Sequence, residues 1–199
     1  MDALLAGYRR FRARIWPNRR RRFETLAAQG QNPRAMVVAC ADSRVDPAMI
    51  FDAGPGEIFT VRNVANLIPP CQPDGAWHGT SAALEFGVAV LRVAHLIVLG
   101  HGLCGGIRAL LDGVADRPGG FIGPWIRLAE PVRALACKAV DPQLEGEYAV
   151  VRLSLANLMT FPWVAERVAS GELQLHGAHF DIRTGVLAVL DADGTFRRR

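Results

Sequence analysis

The stretch HLIVLGHGLCGGI (95–107) decides the fold, because an apolar run passes directly into a glycine-rich turn. A helix-like run, 107–112, follows the turn, so the segment predicts a buried strand, a tight loop and a helix in succession. The loop carries two competing patterns. Gly100, Gly102 and Gly105 form a G-x-G-x-x-G sequence, whereas His101 and Cys104 stand three residues apart, a spacing typical of metal ligands.

Apolar runs outside this stretch predict an alternation of strands and helices. Asp46-Pro47 predicts the start of a short helix, with Asp46 as its cap. The predicted strands are 35–39, 58–61, 95–99, 173–182 and 186–190, the predicted helices are 80–91, 107–111, 131–140 and 145–159, and 116–120 is predicted as a loop. This order indicates an α/β fold with a mainly parallel central β-sheet, flanking helices and an antiparallel edge strand near the C-terminus. We find no linker or repeat, so residues 1–199 are predicted to form a single domain whose α/β core spans 31–199.

Residues 1–30 are predicted to form an N-terminal helical arm. Leu4, Tyr8, Phe11 and Ile15 recur at helical spacing, and Pro17 is predicted to end that first helix. A second helix is predicted over 18–29. A short amphipathic helix cannot bury its own apolar stripe, so we expect the arm to pack on something else, with a partner subunit as one candidate.

Composition limits the classes of function. The chain has 199 residues, half of them hydrophobic and 21% charged, as in ordinary globular proteins. No apolar run approaches the roughly 20 residues that cross a bilayer, and the start lacks a secretory pattern. The arginine clusters 19–22 and 197–199 lack interleaved aromatic residues and are predicted to be solvated rather than to bind nucleic acid. We therefore expect a cytoplasmic protein that binds neither nucleic acid nor membranes and keeps its four cysteines reduced.

The dinucleotide interpretation of the loop fails on its context. A dinucleotide site needs a second strand after the glycine helix, ending in an acidic residue about 20 residues on. No strand is predicted in the corresponding segment, 114–120. The metal interpretation requires a further ligand, which should end another parallel strand, because functional groups collect at the carboxyl ends of strands in open α/β sheets.

Cys40 directly follows the predicted strand 35–39 and supplies that ligand. Two cysteines and one histidine, with a fourth position left open, match a catalytic zinc site rather than a closed structural one. Asp42 and Arg44 come next, and the arginine could hold the carboxylate ionised through paired hydrogen bonds. A cysteine-phosphatase loop would need arginine six residues after the cysteine, where Asp46 stands instead.

Together these motifs resemble the β-class carbonic anhydrases. Cys-x-Asp-Ser-Arg at 40–44 precedes Gly-His-x-x-Cys-Gly-Gly at 100–106, and the likeness continues through RNVAN (62–66), GTSAALE (79–85) and His176-Gly177 with Asp181. The resemblance covers nearly the whole chain, and it matches the arm to one that packs on a partner subunit. It implies one Zn²⁺ per chain on Cys40, His101 and Cys104, and an Asp42–Arg44 dyad beside the metal.

The resemblance also implies a substrate pocket of the plant-like branch. Its predicted residues are Gln31, Phe59, Val64, Phe86 and Gly102. Phe86 stands where that branch has a tyrosine contributed by the neighbouring subunit, so this hydroxyl is missing. Val37 and Phe180 stand where another branch has the tryptophan and tyrosine of an inhibitory bicarbonate pocket. An open zinc site is therefore the expectation.

The predicted function is zinc-dependent, reversible hydration of CO₂ to bicarbonate and a proton, by attack of a zinc-generated hydroxide on CO₂. Two alternatives remain: hydrolysis of a CO₂ analogue such as carbonyl sulfide or carbon disulfide at the same site, and a non-catalytic zinc-binding role.

The expected assembly is a homodimer or a multiple of it. Cys71 and Cys137 are predicted to be structural thiols. His176 and His179 are not expected to form a second metal site, because residues i and i+3 of a strand point to opposite faces.

Overall fold

A computed structural model describes residues 1–113 and 119–199. The predicted loop at 116–120, and the lack of a strand predicted for 114–120, therefore lie mostly outside the described residues.

The described residues form helices on both sides of one six-stranded sheet. The helices are α1 (Asp2–Arg10), α2 (Trp16–Gln29), α3 (Pro47–Ile50), α4 (Gly79–Glu85), α5 (Gly105–Asp112), α6 (Ile122–Ile126), α7 (Glu130–Ala136), α8 (Pro142–Leu158) and α9 (Pro162–Ala169). The strands are β1 (Ala35–Cys40), β2 (Ile58–Asn63), β3 (His95–His101), β4 (Gln174–Phe180), β5 (Leu187–Leu190) and β6 (Phe196–Arg198). Phe11–Ile15 and Phe86–Val90 are π-helical, and Val64–Asn66 and Arg127–Ala129 are 3₁₀ turns.

The sheet has the strand order β2-β1-β3-β4-β5-β6. The first four strands in this order are parallel, while β5 and β6 are antiparallel to their neighbours. The predicted mainly parallel sheet with an antiparallel edge is thus confirmed, although β6 was not predicted. The chain leaves β1 toward β2 and then crosses over to β3, so the strand order reverses at β1. Open α/β sheets bind ligands beyond the carboxyl ends of the strands at such a reversal.

The two faces of the sheet bury different side chains because successive residues of a strand alternate. Met36 and Val38 of β1 belong to the larger core cluster, which includes Val151 and Leu158 of α8. Val37 and Ala39 point the other way and pack with residues that include Ile50 of α3. Burial on both faces explains why β1 is a continuous apolar run.

The N-terminal arm is bent rather than interrupted. The rings of Phe11 and Phe23 lie 6.5 Å apart, whereas twelve residues of straight helix would span about 18 Å. The bend falls at the π-helical segment, and Trp16 stacks on Phe23 within α2 just after it. The prediction that Pro17 ends the first helix is therefore wrong. Pro17 lies in the first turn of α2, a position at which proline is common.

Other elements also differ from the predictions. The helices α6 and α9 were not predicted, and α7 ends at Ala136 rather than at 140. These helices are short, from five to eight residues, and a short helix shows too few turns for a clear apolar period. Asp46 caps α3 as predicted, its carboxylate accepting the backbone N–H of Met49.

None of the helices in the described ranges is long and apolar enough to cross a membrane.

Gly100 lets α8 approach β3 closely. A Cβ atom at this position would lie 2.8 Å from Cγ2 of Val151, which is buried. We expect Gly100→Ala to lower the free energy of unfolding by about 1–3 kcal/mol, the usual cost of overpacking a core. The midpoint of thermal unfolding should fall accordingly. Gly105→Ala is the matched control, because nothing lies within 4 Å of its added Cβ. An equal loss of stability in both variants would contradict this explanation.

Candidate metal centre

The three predicted metal ligands come together at the strand reversal. Cys40 is the last residue of β1, and His101 is the last residue of β3, the neighbouring parallel strand. Cys104 immediately precedes α5. The spacing of three residues would suit one helical turn, but an irregular loop joins His101 to Cys104 instead. Leu103 in this loop has a left-handed backbone, with φ of 57°.

The geometry of the three side chains fits a tetrahedral zinc ion. Their ligand atoms all lie within 4.8 Å of one another, and each side chain is buried. The two Sγ atoms are 3.9 Å apart, close to the roughly 3.8 Å edge of a tetrahedron with Zn–S bonds of about 2.3 Å.

His101 provides an independent test of metal fit. Its Nδ1–H donates to the carbonyl oxygen of Gly102 at 2.9 Å. That bond fixes the neutral tautomer in which Nε2 carries a lone pair. Nε2 is buried and has no hydrogen-bond partner among the described residues. A buried imidazole nitrogen without a partner is costly unless it binds something else, and a metal ion satisfies it.

The thiols of Cys40 and Cys104 share a hydrogen bond between their sulfur atoms. A hydrogen bond from Cys104 lowers the pKa of Cys40, whereas the same bond and burial raise the pKa of Cys104. Backbone N–H groups also stabilise negative sulfur, from Ala65 for Cys40 and from Ile107 for Cys104. Cys40 therefore loses its proton easily. Binding of a dication would favour loss of the proton of Cys104 as well.

Asp42 and Arg44 form the predicted ion pair beside this cluster. Arg44 donates from Nε to Oδ1 at 2.9 Å and from Nη2 to Oδ2 at 2.7 Å, and its backbone N–H also donates to Oδ1. These bonds hold the pKa of the Asp42 carboxyl well below its usual range. Asp42 Oδ2 lies 4.0 Å from Nε2 of His101, so the carboxylate faces the metal centre while both of its oxygens remain bound to arginine.

Arg62 shapes the loop that carries the dyad. Its guanidinium donates to the backbone carbonyl oxygens of Cys40, Asp42 and Val45, at 2.9, 2.6 and 2.8 Å. Five planar N–H donors suit this task, because they can satisfy several carbonyls that point inward from one turn. Arg62 therefore positions the loop.

A buried carboxylate behind Cys104 was not predicted from the sequence. Glu147 of α8 is 3% exposed, and its Oε1 accepts the backbone N–H of Cys104 at 3.1 Å. Gln143 donates to the same oxygen and to the carbonyl of Cys104. His179 binds Oε2 of Glu147 at 2.8 Å. The available signal was an acidic residue and a histidine within apolar segments, since such groups are rarely buried without partners.

The predicted pocket residues divide into two groups. Val64 follows β2 directly, and Cys40 pairs with the last residue of that strand, so Val64 lies at the metal edge of the sheet. Phe59 instead pairs with Met36, four residues before Cys40, and its ring lies 5.8 Å from that of Phe86. Four residues of strand span about 13 Å. Phe59 and Phe86 therefore lie toward the opposite edge, away from the metal ligands of their own chain.

Gln31 belongs with the distant group. It is exposed and precedes β1, at the end opposite Cys40. Gly102 lies between His101 and Cys104, and its backbone N–H donates to the carbonyl of Phe180 while its own carbonyl accepts from His101. Gly102 thus orients the ring of His101 and joins β3 to β4.

The other cysteines and histidines are placed as structural groups. Cys71 packs against the larger core cluster, and Cys137 is exposed. His176 bonds to His95 at 3.2 Å, whereas His179 bonds to Glu147. Among the described residues, the cluster of Cys40, His101 and Cys104 is the one grouping suited to a metal ion.

Comparison with known proteins places this site in a family. The profile of the carbonic anhydrase family matches residues 35–187. The chain is 35% identical over 203 residues to "Beta carbonic anhydrase 3" of Arabidopsis thaliana, an alignment that covers 97% of this chain and 78% of the relative. It is also 35% identical to a carbonic anhydrase of Pseudomonas aeruginosa, with 100% and 90% of the two chains covered.

Solved structures give the same result for the fold. The β-carbonic anhydrase CcaA superimposes with a TM-score of 0.91 at 31% identity, covering 100% of this chain and 99% of that one. A tetrameric β-carbonic anhydrase from Sordaria macrospora superimposes with a TM-score of 0.81 at 28% identity, covering 98% of both chains.

Proposed function

This chain belongs to the β-carbonic anhydrase family and is a carbonic anhydrase, and we propose that it hydrates CO₂ reversibly at one Zn²⁺ ion bound by Cys40, His101 and Cys104. The observation that carries the proposal is the unpartnered Nε2 of His101, buried within 4.8 Å of two cysteine sulfurs. Bound there, zinc would supply the Lewis acidity that generates a hydroxide nucleophile near neutral pH. Asp42 and Arg44 are the adjacent polar groups proposed to act on the reactants.

Asp42 is proposed to orient the nucleophile and accept its proton. Both of its oxygens are bound to Arg44, yet Oδ2 still lies 4.0 Å from the ligand nitrogen of His101. An oxygen accepts more than one hydrogen bond, so Oδ2 retains capacity toward the metal centre. Arg44 also donates to the carbonyl of Leu103 at 3.1 Å, which ties the dyad to the ligand loop. The arginine thereby holds the aspartate away from the fourth coordination position, and we propose an open site.

The substrate wall is proposed to come from two subunits. Val64, at the metal edge, is 40% exposed, and Phe86, at the opposite edge, is 42% exposed. Gln31, Phe59 and Phe86 cannot reach the metal of their own chain along β1 and β2, so a partner would have to supply them. This arrangement makes a homodimer, or a multiple of it, the active unit.

Activity should therefore depend on assembly. We expect Phe59→Ala/Phe86→Ala to lower kcat/KM for CO₂ hydration by about tenfold or more, because the substitutions remove both aromatic rings from the proposed pocket wall. Mixing this variant with Asp42→Ala, which has an intact wall, should restore hydration once the subunits exchange, since a mixed dimer contains one complete site. The measurement is stopped-flow hydration before and after subunit exchange. No recovery in mixtures shown to contain mixed dimers would contradict a shared site.

The pH dependence of hydration tests the proposed reaction. We expect the rate of the zinc-loaded protein to rise on the alkaline side of neutral, because two thiolates neutralise Zn²⁺ and weaken its Lewis acidity relative to three neutral histidines. The depressed pKa of Asp42 means that this carboxylate is already ionised throughout the range and cannot produce the rise. Stopped-flow hydration from about pH 6.5 to about pH 9 makes the measurement.

Two results would overturn parts of this proposal. A flat profile would contradict nucleophile formation as the titrating event. No hydration at any pH, with one zinc per chain confirmed by metal analysis, would favour a CO₂ analogue such as carbonyl sulfide as substrate, or a non-catalytic role.

A further inference from the structure

A separate cavity of about 310 Å³ lies beside the loop that joins His101 to Cys104. Gly102 and Leu103 form part of its wall, and the buried ring of His179 lies at its base. Neither Asp42 nor Arg44 lines it. The volume falls at the lower end of the range for pockets that bind small organic ligands, and it is far larger than a bicarbonate ion requires.

The carboxylates around this cavity are already bound to donors. Glu147 accepts from the backbone of Cys104 and from Gln143, and it pairs with His179. The negative charge of Glu147 is therefore bound by donors inside the protein, including the backbone N–H of Cys104.

Asp181 and Asp141 are committed in the same way. Asp181 accepts from the backbone N–H of Arg183 and from the hydroxyl of Thr184. Asp141 caps α8 by accepting the backbone N–H of Leu144. These two acids thus complete local backbone structure and form no ion pair with an arginine side chain within the described ranges.

Three arginine side chains around the same cavity lack such hydrogen bonds to residues that the structure describes. Arg108 of α5, Arg183 of the turn between β4 and β5, and Arg198 of β6 all line it. None of the three guanidinium groups has a hydrogen bond or ion pair with any residue that the structure describes. The adjacent Arg197 and Arg199 contrast with them, because both pair with aspartates.

We propose that this cavity binds a small phosphorylated organic anion. Guanidinium groups bind phosphate through paired N–H donors, and three of them around one cavity could hold the oxygens of a ligand with two phosphate groups. The fold brings three arginines from different elements, Arg108, Arg183 and Arg198, to the same cavity. The bound anion would lie against Gly102 and Leu103, the residues between the metal ligands His101 and Cys104.

Fructose 1,6-bisphosphate is a suitable probe, with binding to the metal-loaded full chain measured by isothermal titration calorimetry. We expect saturable binding that weakens by about tenfold or more in Arg183→Gln/Arg198→Gln, because hydrogen bonds between charged groups are strong. The charge-matched control is Arg19→Gln/Arg21→Gln on the exposed face of α2, which should bind as the wild type does. CO₂ hydration without the probe should be unchanged in both double variants, which verifies that they fold.

Three results would overturn the proposal. The first is the absence of binding at millimolar probe concentrations. The second is equal weakening in both double variants, which would indicate attraction to net charge rather than to this cavity. The third is binding that survives Arg183→Gln/Arg198→Gln, which would place the anion elsewhere, such as at the metal centre. Because the readout is binding and not hydration, failure of this proposal leaves the proposed reaction unaffected.

Discussion

Cys40→Ser should abolish both metal binding and CO₂ hydration. The substitution leaves a neutral hydroxyl where a thiolate is needed, and it removes one of three protein ligands from a buried site. We expect zinc content to fall from about one equivalent per chain to nearly none after dialysis, and hydration to fall to the buffer rate. Metal analysis and stopped-flow hydration on the same preparation make the measurement.

Cys137→Ser is the matched control for this experiment. Cys137 is exposed and lies outside the cluster, so its replacement should change neither zinc content nor rate. Circular dichroism should show the same helix and strand content for both variants, because serine has nearly the volume of cysteine. Retention of a full zinc equivalent by Cys40→Ser would remove this residue from the ligand set.

The clustering of Cys40, His101 and Cys104 could be predicted from the sequence because each residue has a local signal. Cys40 and His101 end apolar runs, and parallel strands bring their carboxyl ends to one edge of a sheet. Asp42 and Arg44 follow within four residues, so their pairing depends on local chain geometry. The α/β class could be predicted from the same alternation of apolar strands and helices. Short elements such as α6 and β6 were not predicted.

The division of the pocket could not be predicted because it depends on register between strands. The sequence places Phe59 and Val64 only five residues apart, and both match pocket positions of related enzymes. Pairing of Phe59 with Met36 and of Asn63 with Cys40 then assigns them to opposite parts of the sheet. Similarity predicts which residues form a pocket, whereas the strand register shows which of them lie near Cys40 in one chain.

Long-range polar contacts were hidden for a related reason. Glu147 and Cys104 are 43 residues apart, and no local pattern joins them. The bend of the arm was also missed, because Pro17 reads equally well as the end of one helix and as the first turn of another. In both cases the deciding interaction is tertiary, so patterns within a single segment cannot reveal it.

Asp42→Ala should separate metal binding from catalysis. The carboxylate is not among the three ligands, so we expect a full zinc equivalent to remain. The rate of hydration should fall by roughly 100- to 10,000-fold, the usual contribution of a positioned group that accepts a proton. Arg44 would then lose the carboxylate to which it donates from Nε, Nη2 and its backbone, and only its bond to Leu103 would remain.

Restoration of the rate by an added base distinguishes two roles for the dyad. If Asp42 accepts the proton, small buffer bases should partly restore the rate of Asp42→Ala, because an external base can replace a missing one. If Asp42 only anchors Arg44, added base should have no effect. Asp193→Ala is the control, since this exposed aspartate pairs with Arg197 far along the chain from the dyad and should leave the rate unchanged. Full turnover by Asp42→Ala with zinc bound would show that the role proposed here for Asp42 is wrong.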